Sequence, residues 1–101
     1  MAYFATKEGL LVASVAQTFD FKKALGGFGA QSFVYINDDV ALDHQLSLDN
    51  GSAVFTVKKG EQRVVTGLSE ATVLTIGGDA GSAGNYRLAV SSELQPPIIK
   101  Y

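Results

Sequence analysis

The chain has 101 residues, a net charge of −2 from eight basic and ten acidic residues, and no cysteine. This length predicts one domain that can bury a core of its own. The lack of thiols excludes disulfides and thiolate metal sites, and the near-neutral charge argues against nucleic-acid binding, which needs a basic surface.

The N-terminal segment predicts a β-strand and no membrane span. Residues 10–19 are rich in β-branched side chains, and Phe19 and Phe21 alternate at their end, which favours a strand over a helix. The apolar run 10–16 is too short to cross a bilayer, and no positively charged segment precedes it as in a signal peptide. We therefore expect no membrane partner.

A glycine-rich loop and a short strand follow. Residues 22–31 contain the run GGFG and predict a loop, with one helical turn over residues 21–25. No βαβ pattern surrounds these glycines, so they indicate a connection rather than a nucleotide-binding loop. Residues 32–36 (SFVYI) predict a strand that ends at Asn37, Asp38 and Asp39, which favour turns.

A β-hairpin is predicted near the middle of the chain. Apolar or aromatic side chains recur at period two and so share one strand face, namely Leu42, His44, Leu46 and Leu48. The pair Asn50–Gly51 favours the positive φ angles of a tight turn. Residues 53–57 (AVFTV) then alternate as the second strand, and residues 59–61 predict the next turn.

Three further strands are predicted at residues 62–66, 71–76 and 86–90, and turns or glycine-rich loops separate them. About seven short strands at this spacing predict an all-β fold, an antiparallel β-sandwich of the jelly-roll kind. The predicted core consists of Leu46, Leu48, Phe55, Val57, Val73, Ile76, Leu88 and Val90.

The two ends of the chain predict a protein interface. We place one domain at residues 1–95 and an extended C-terminal arm at residues 96–101, because adjacent prolines cannot donate hydrogen bonds to a sheet. Apolar side chains are concentrated at both ends, where a monomer usually keeps polar residues. The predicted interface residues are Tyr3, Phe4, Pro96, Pro97, Ile98, Ile99 and Tyr101.

The residues that could take part in catalysis or metal binding do not form a known motif. His44 is the only histidine, so a metal site would lack further imidazole or thiolate ligands. It could pair with Asp39 or Asp43, but no G-x-S-x-G sequence supplies a serine nucleophile. The spacing of Asp38, Asp39, Asp43 and Asp49 does not match an EF-hand, and we interpret them as turn formers. We therefore expect no enzyme and no catalytic, cofactor-binding or metal-binding residues.

Four segments carry a resemblance to a known class of proteins: residues 46–51 (LSLDNG), 57–61 (VKKGE), 68–76 (LSEATVLTI) and 84–90 (GNYRLAV). In these the chain resembles small virion proteins of tailed phages, above all head decoration (cement) proteins. The resemblance covers about half of the chain.

The resemblance implies a non-enzymatic virion component on the capsid surface, made in the host cytoplasm. It also implies a homotrimer that binds the major capsid protein or another virion protein and stabilises the head across neighbouring subunits. Tail, fibre and spike proteins share these features, so the alternative is a module of that kind that binds a receptor or a carbohydrate.

Overall fold

The computed structural model describes residues 4–27, 29–49, 53–68 and 73–92, and they form a β-sandwich. One helical turn, α1 (Phe21–Ala24), lies between the second and third strands. The strands of this part of the chain are β1 (Phe4–Leu11), β2 (Ala16–Asp20), β3 (Ser32–Asn37), β4 (His44–Leu48), β5 (Ala53–Val57), β6 (Gln62–Val65), β7 (Val73–Gly77) and β8 (Gly84–Ser91).

The strands form two antiparallel four-stranded sheets. Sheet 1 has the order β1-β8-β3-β6, and sheet 2 has the order β2-β7-β4-β5. Every connection except the β4–β5 hairpin crosses from one sheet to the other, which is the connectivity of a jelly roll. The predicted fold class is therefore confirmed.

The prediction of one strand over residues 10–19 is wrong, because this segment holds the end of β1 and most of β2. Val12 and Val15 pair across the turn between the two strands. Ser14 has a positive φ of 63° in this turn, and its N–H donates to the Asp79 carbonyl oxygen at 3.0 Å. A contact with a distant loop therefore stabilises a turn that local hydrophobicity does not reveal.

The predicted helical turn is present as α1. Asp20 is its N-cap residue, and its carboxylate accepts a hydrogen bond from the Lys23 N–H at 3.2 Å. Side-chain acceptors at this position satisfy backbone donors that have no partner within the helix. The buried Phe21 anchors the turn to the core, so α1 closes one end of the sandwich.

The side chains of the β4–β5 hairpin face inward and outward as predicted, but β4 begins at His44 rather than at Leu42. Leu46 pairs with Phe55, and the ladder ends at the pair Leu48 and Ala53, while Asn50–Gly51 lies outside the described residues. Leu42 was predicted on the strand face, yet it precedes β4 and is 40% exposed. The Leu42 N–H donates to the Asp39 carboxylate, so Leu42 belongs to the loop before β4 and not to the ladder.

The core prediction is largely confirmed. Six of the eight predicted side chains are buried, and Phe55 is half-buried but packs against the core. Val73 is assigned to the wrong face, because Leu74 and Ile76 point inward on β7 and Val73 has the opposite parity. The central strand β3 is buried along its whole length.

We expect Phe33→Ala to lower the free energy of unfolding by about 3–5 kcal/mol, because it would leave a large cavity. Phe33 is fully buried, with ring centroids of Phe21 and Phe55 at 6.4 and 6.2 Å. Phe55→Ala should cost less, because that ring is only half-buried. Denaturant unfolding measures both values, and equal losses would contradict this distinction.

Candidate functional site

A buried hydrogen-bonded cluster surrounds His44, the residue on which a catalytic interpretation would depend. His44 is fully buried on β4; its Nδ1 lies 2.8 Å from the Tyr35 hydroxyl and its Nε2 lies 2.8 Å from the Ala83 carbonyl oxygen. Because a carbonyl only accepts, Nε2 carries the proton and Nδ1 accepts the hydroxyl proton of Tyr35. Both ring nitrogens therefore hold the fold together, and neither offers a lone pair to a substrate or a metal.

Tyr35 stacks on Tyr86 beside this histidine, with ring centroids 5.4 Å apart and planes 13° from parallel. The Tyr86 hydroxyl donates to the Gln17 side-chain oxygen at 2.8 Å, and the Gln17 amide donates to the Leu10 carbonyl at 2.7 Å. This packing requires Gly9, because a Cβ there would lie 2.6 Å from the Tyr86 hydroxyl. The two tyrosines thus link sheet 1 to sheet 2.

The four aspartates considered in the sequence analysis all accept hydrogen bonds from other parts of the protein. Asp38 binds the Arg87 guanidinium at 2.7 Å, Asp39 accepts from Ala41 and Leu42, Asp43 accepts from Lys59, and Asp49 accepts from Val73. In the part of the chain that the structure describes, no three histidine or acidic residues are close enough to hold a metal ion. Asp39 shapes a local turn, as expected of aspartate in loops, whereas Asp38, Asp43 and Asp49 bind groups from distant parts of the chain.

An open cleft of about 590 Å³ lies where the loops at residues 41–45, 58–61 and 79–81 meet. Charged side chains of both signs line it, among them Asp43, Lys59 and Glu61, and no aromatic ring of the described residues does. Small-molecule sites are usually apolar with a few convergent polar groups. The lining of this cleft mixes apolar groups with charges of both signs and has no convergent set of polar groups, so it does not define a ligand.

The predicted interface residues fall mostly outside the described residues. This holds for Tyr3, Pro96, Pro97, Ile98, Ile99 and Tyr101. Phe4 begins β1, where its backbone pairs with Ser91. The interface assignment and the boundary at residue 95 therefore stay predictions.

Exposed aliphatic side chains mark surfaces that the sequence analysis did not identify. Leu10, Val12 and Val15 are exposed where β1 turns into β2. Val54 on β5 and Val64 on β6 are exposed on the opposite side of the sandwich. The alternation of residues 53–57 could have shown that Val54 points outward, but it could not show that β5 is an edge strand.

Each open side of the sandwich is covered by a cation that lies over a phenylalanine ring. On one side Lys7 of β1 has its Nζ 6.0 Å from the ring centre of Phe19 on β2. On the other, Arg63 of β6 has its guanidinium carbon 5.3 Å from the ring centre of Phe55 on β5. Such contacts contribute about 0.5–1 kcal/mol at exposed sites. They also place a positive charge at the rim of the core.

Comparisons with known proteins find likeness only at the level of fold. No protein-family model and no curated protein matches the chain. One similar solved structure is a Bacillus protein described as endospore appendages that form a novel family of disulfide-linked pili. It is 13% identical, with a TM-score of 0.51 over 94% of this chain and 92% of that one. At this identity the likeness supports a shared fold alone.

In the described ranges, no helix is long and apolar enough to cross a membrane.

We expect stability to fall above about pH 10 because Tyr35 and Tyr86 hold their protons more tightly in the fold than in the unfolded chain, which ionises first. Burial raises the pKa of Tyr35, with Tyr86 and Asp38 as further causes, and burial also raises the pKa of Tyr86. Tyr35 should lower stability by up to about 1.4 kcal/mol per pH unit above its unfolded pKa, and Tyr86 should add to the fall in the same direction. Denaturant unfolding from pH 8 to 11 should show a shallower fall for Tyr35→Phe. Parallel curves for variant and wild type would contradict this.

Proposed function

We propose that this chain is a non-enzymatic structural subunit of a virion, and specifically a head decoration protein that binds across neighbouring capsid subunits. The observation that carries the proposal is a contrast between interior and surface. The groups capable of chemistry bind one another inside the sandwich, while aliphatic side chains lie exposed along its edges and turns. The resemblance to phage virion proteins supplies the location.

The interior supports a structural role because its polar groups are paired. Among the described residues, no buried side-chain nitrogen or oxygen lacks a hydrogen-bond partner. Catalytic sites, in contrast, usually hold perturbed or unpaired groups in a cleft. Here His44, Tyr35 and Tyr86 lie in the core, and the cleft residue Asp43 accepts a backbone N–H.

The apolar ends of the chain support attachment to a neighbour. Leaving Ile98, Ile99 and Tyr101 in water forgoes about 1.5–3 kcal/mol for each large apolar side chain that could be buried. An extended arm can cover a large area on a second subunit, and Pro96 and Pro97 reduce the entropy that the arm loses on binding. We therefore assign the arm and the N-terminal aromatics to the contact with the capsid, with three copies around a local symmetry axis.

Two alternatives belong to related classes. A tail, fibre or spike module that binds a receptor or a carbohydrate would use loop surfaces, such as those around the open cleft at residues 41–45 and 58–61. A filament subunit is favoured by the fold that this chain shares with the Bacillus appendage protein. This chain has no cysteine, so it could not form disulfide links of the kind named for that protein.

Labelling of assembled particles distinguishes these functions. We expect gold-labelled antibodies against this chain to cover the heads of purified phage particles uniformly in electron micrographs. Label confined to tail tips would favour the receptor-binding module, and label along threads would favour a filament subunit. Particles without label would contradict all virion locations, provided that the same antibodies bind the purified protein.

Deletion of residues 96–101 tests the arm. We expect the truncated protein to keep its melting temperature and to lose binding to capsids stripped of their decoration, measured by co-sedimentation. The full chain in the same buffer is the control. A lowered melting temperature with binding intact would show that the arm belongs to the fold instead.

A further inference from the structure

The outer face of sheet 1, which is turned away from sheet 2, has buried aliphatic side chains on its two central strands. On β3, Phe33 and Tyr35 point into the core. Val34 and Ile36 have the opposite parity and therefore lie on the outer face. Val34 is 3% exposed, Ile36 is 4% exposed, and Ala89, the partner of Val34 on β8, is fully buried. These three residues form the outer patch of sheet 1.

The outer patch is separate from the core between the sheets. The buried side chains that pack into the core cluster do not include its three residues. All eight strands of the described chain belong to the two sheets, so none of them lies over the patch. The helical turn α1 packs against β7 of sheet 2. The burial of the patch therefore needs another part of the chain.

The outer face of sheet 2 provides the comparison within the same molecule. Its central strands β4 and β7 place Gln45, Ser47 and Thr75 outward, and all three are partly exposed. Val73, an aliphatic residue on this face, is also partly exposed. The equivalent central strands of sheet 1 carry aliphatic side chains that are buried, so only sheet 1 has the composition and the burial of a covered layer.

Burial on the outer face of β8 is greatest at the end of the strand. Ser91 and Ala89 are buried on this face. Two residues further from the end, Arg87 is half-buried, and Asn85 beyond it is exposed. The covering segment therefore approaches from the end of the sheet at which β8 finishes.

Residues 93–101 are the segment that can cover the patch. β8 ends at Ser91, which pairs with Ser32 at the start of β3, so the chain leaves sheet 1 at one end of this face. Nine residues in extended conformation span about 30 Å, whereas β3 spans about 20 Å. Every other segment outside the described residues has at most four residues, and the longest, residues 69–72, leads into sheet 2.

The composition of residues 93–101 suits a layer on the sheet better than a further strand. Pro96 and Pro97 cannot donate ladder hydrogen bonds, so this segment would contact the sheet mainly through side chains. Ile98, Ile99 and Tyr101 supply large apolar side chains. They match the aliphatic outer patch, because burial of apolar surface on both partners is favourable.

We propose that residues 93–101 dock on the outer patch of sheet 1 of the same chain in the free protein. Burial of apolar side chains favours docking, and the entropy of ordering nine residues opposes it by a similar amount. Docking is therefore a local equilibrium, and the arm leaves the patch below the melting temperature of the sandwich. For this reason deletion of residues 96–101 still leaves that melting temperature unchanged.

This docking goes beyond the proposed virion function and does not depend on it. The patch shields the apolar arm from water in the free protein, and undocking makes the arm available to a neighbouring subunit. The tests use purified protein without capsids, so their failure would leave the virion proposal standing.

Thiol labelling measures whether the arm covers the patch. The chain has no cysteine, so Val34→Cys introduces a single thiol. Adding Ile98→Asp and Ile99→Asp should raise its labelling rate by more than about tenfold, because carboxylates resist burial on an apolar face. Ser47→Cys on the outer face of sheet 2 is the matched control, and the same arm substitutions should leave its rate unchanged. Equal rates for Val34→Cys with and without the arm substitutions would overturn the proposal.

A spin label on the arm tests the occupant without a change in the patch. With a nitroxide attached at Lys100→Cys, the amide NMR signals of residues 32–37 should broaden more than those of residues 44–48 in sheet 2. When the nitroxide and the NMR isotope are on different chains in a mixture, this broadening should disappear. Broadening that persists in the mixture would place the arm on a second copy, and equal signals in both sheets would show an undocked arm. Either result overturns the proposal.

Discussion

The hydrogen bond between Tyr35 and His44 is the contact on which the arrangement of the sandwich depends. It joins β3 of sheet 1 to β4 of sheet 2, and the other ring nitrogen of His44 holds the carbonyl of Ala83 in the loop before β8. Apolar side chains alone would allow two sheets to slide, because hydrophobic contact is not directional. Hydrogen bonds with fixed partners select one alignment, since any other would leave buried polar groups unpaired.

The inward face of β3 explains why the two ends of the sandwich differ. Phe33 packs among phenylalanine rings near α1, Tyr35 bonds to His44 at mid-strand, and Asn37 donates to the Val57 carbonyl at the far end. One end is therefore held by burial and the other by polar bonds between the sheets. The loops near the polar end also form the open cleft, where the Asp43 carboxylate accepts a hydrogen bond from the Lys59 N–H.

The buried polar side chains of the described residues all have hydrogen-bond partners, so we look to the surface for the function. Cations over phenylalanine rings cover both open sides of the sandwich. Jelly rolls serve many functions, so the shared fold of the Bacillus appendage protein does not transfer a role. What distinguishes this chain is where its aliphatic side chains are left exposed, and the proposed contact with neighbouring subunits draws on that distribution.

The sequence by itself determined the fold class, most of the core and the absence of a recognisable catalytic motif. Period-two alternation placed Leu46, Leu48 and Val57 inside, because side chains alternate across a strand whatever its partners are. The tertiary structure decided where one strand ends, as at Ser14, whose turn depends on the distant Asp79 carbonyl. It also decided that Val54 lies on an edge and that His44 meets Tyr35, because strand order and inter-sheet contacts join residues far apart in the chain, and local pattern carries no information about such pairs.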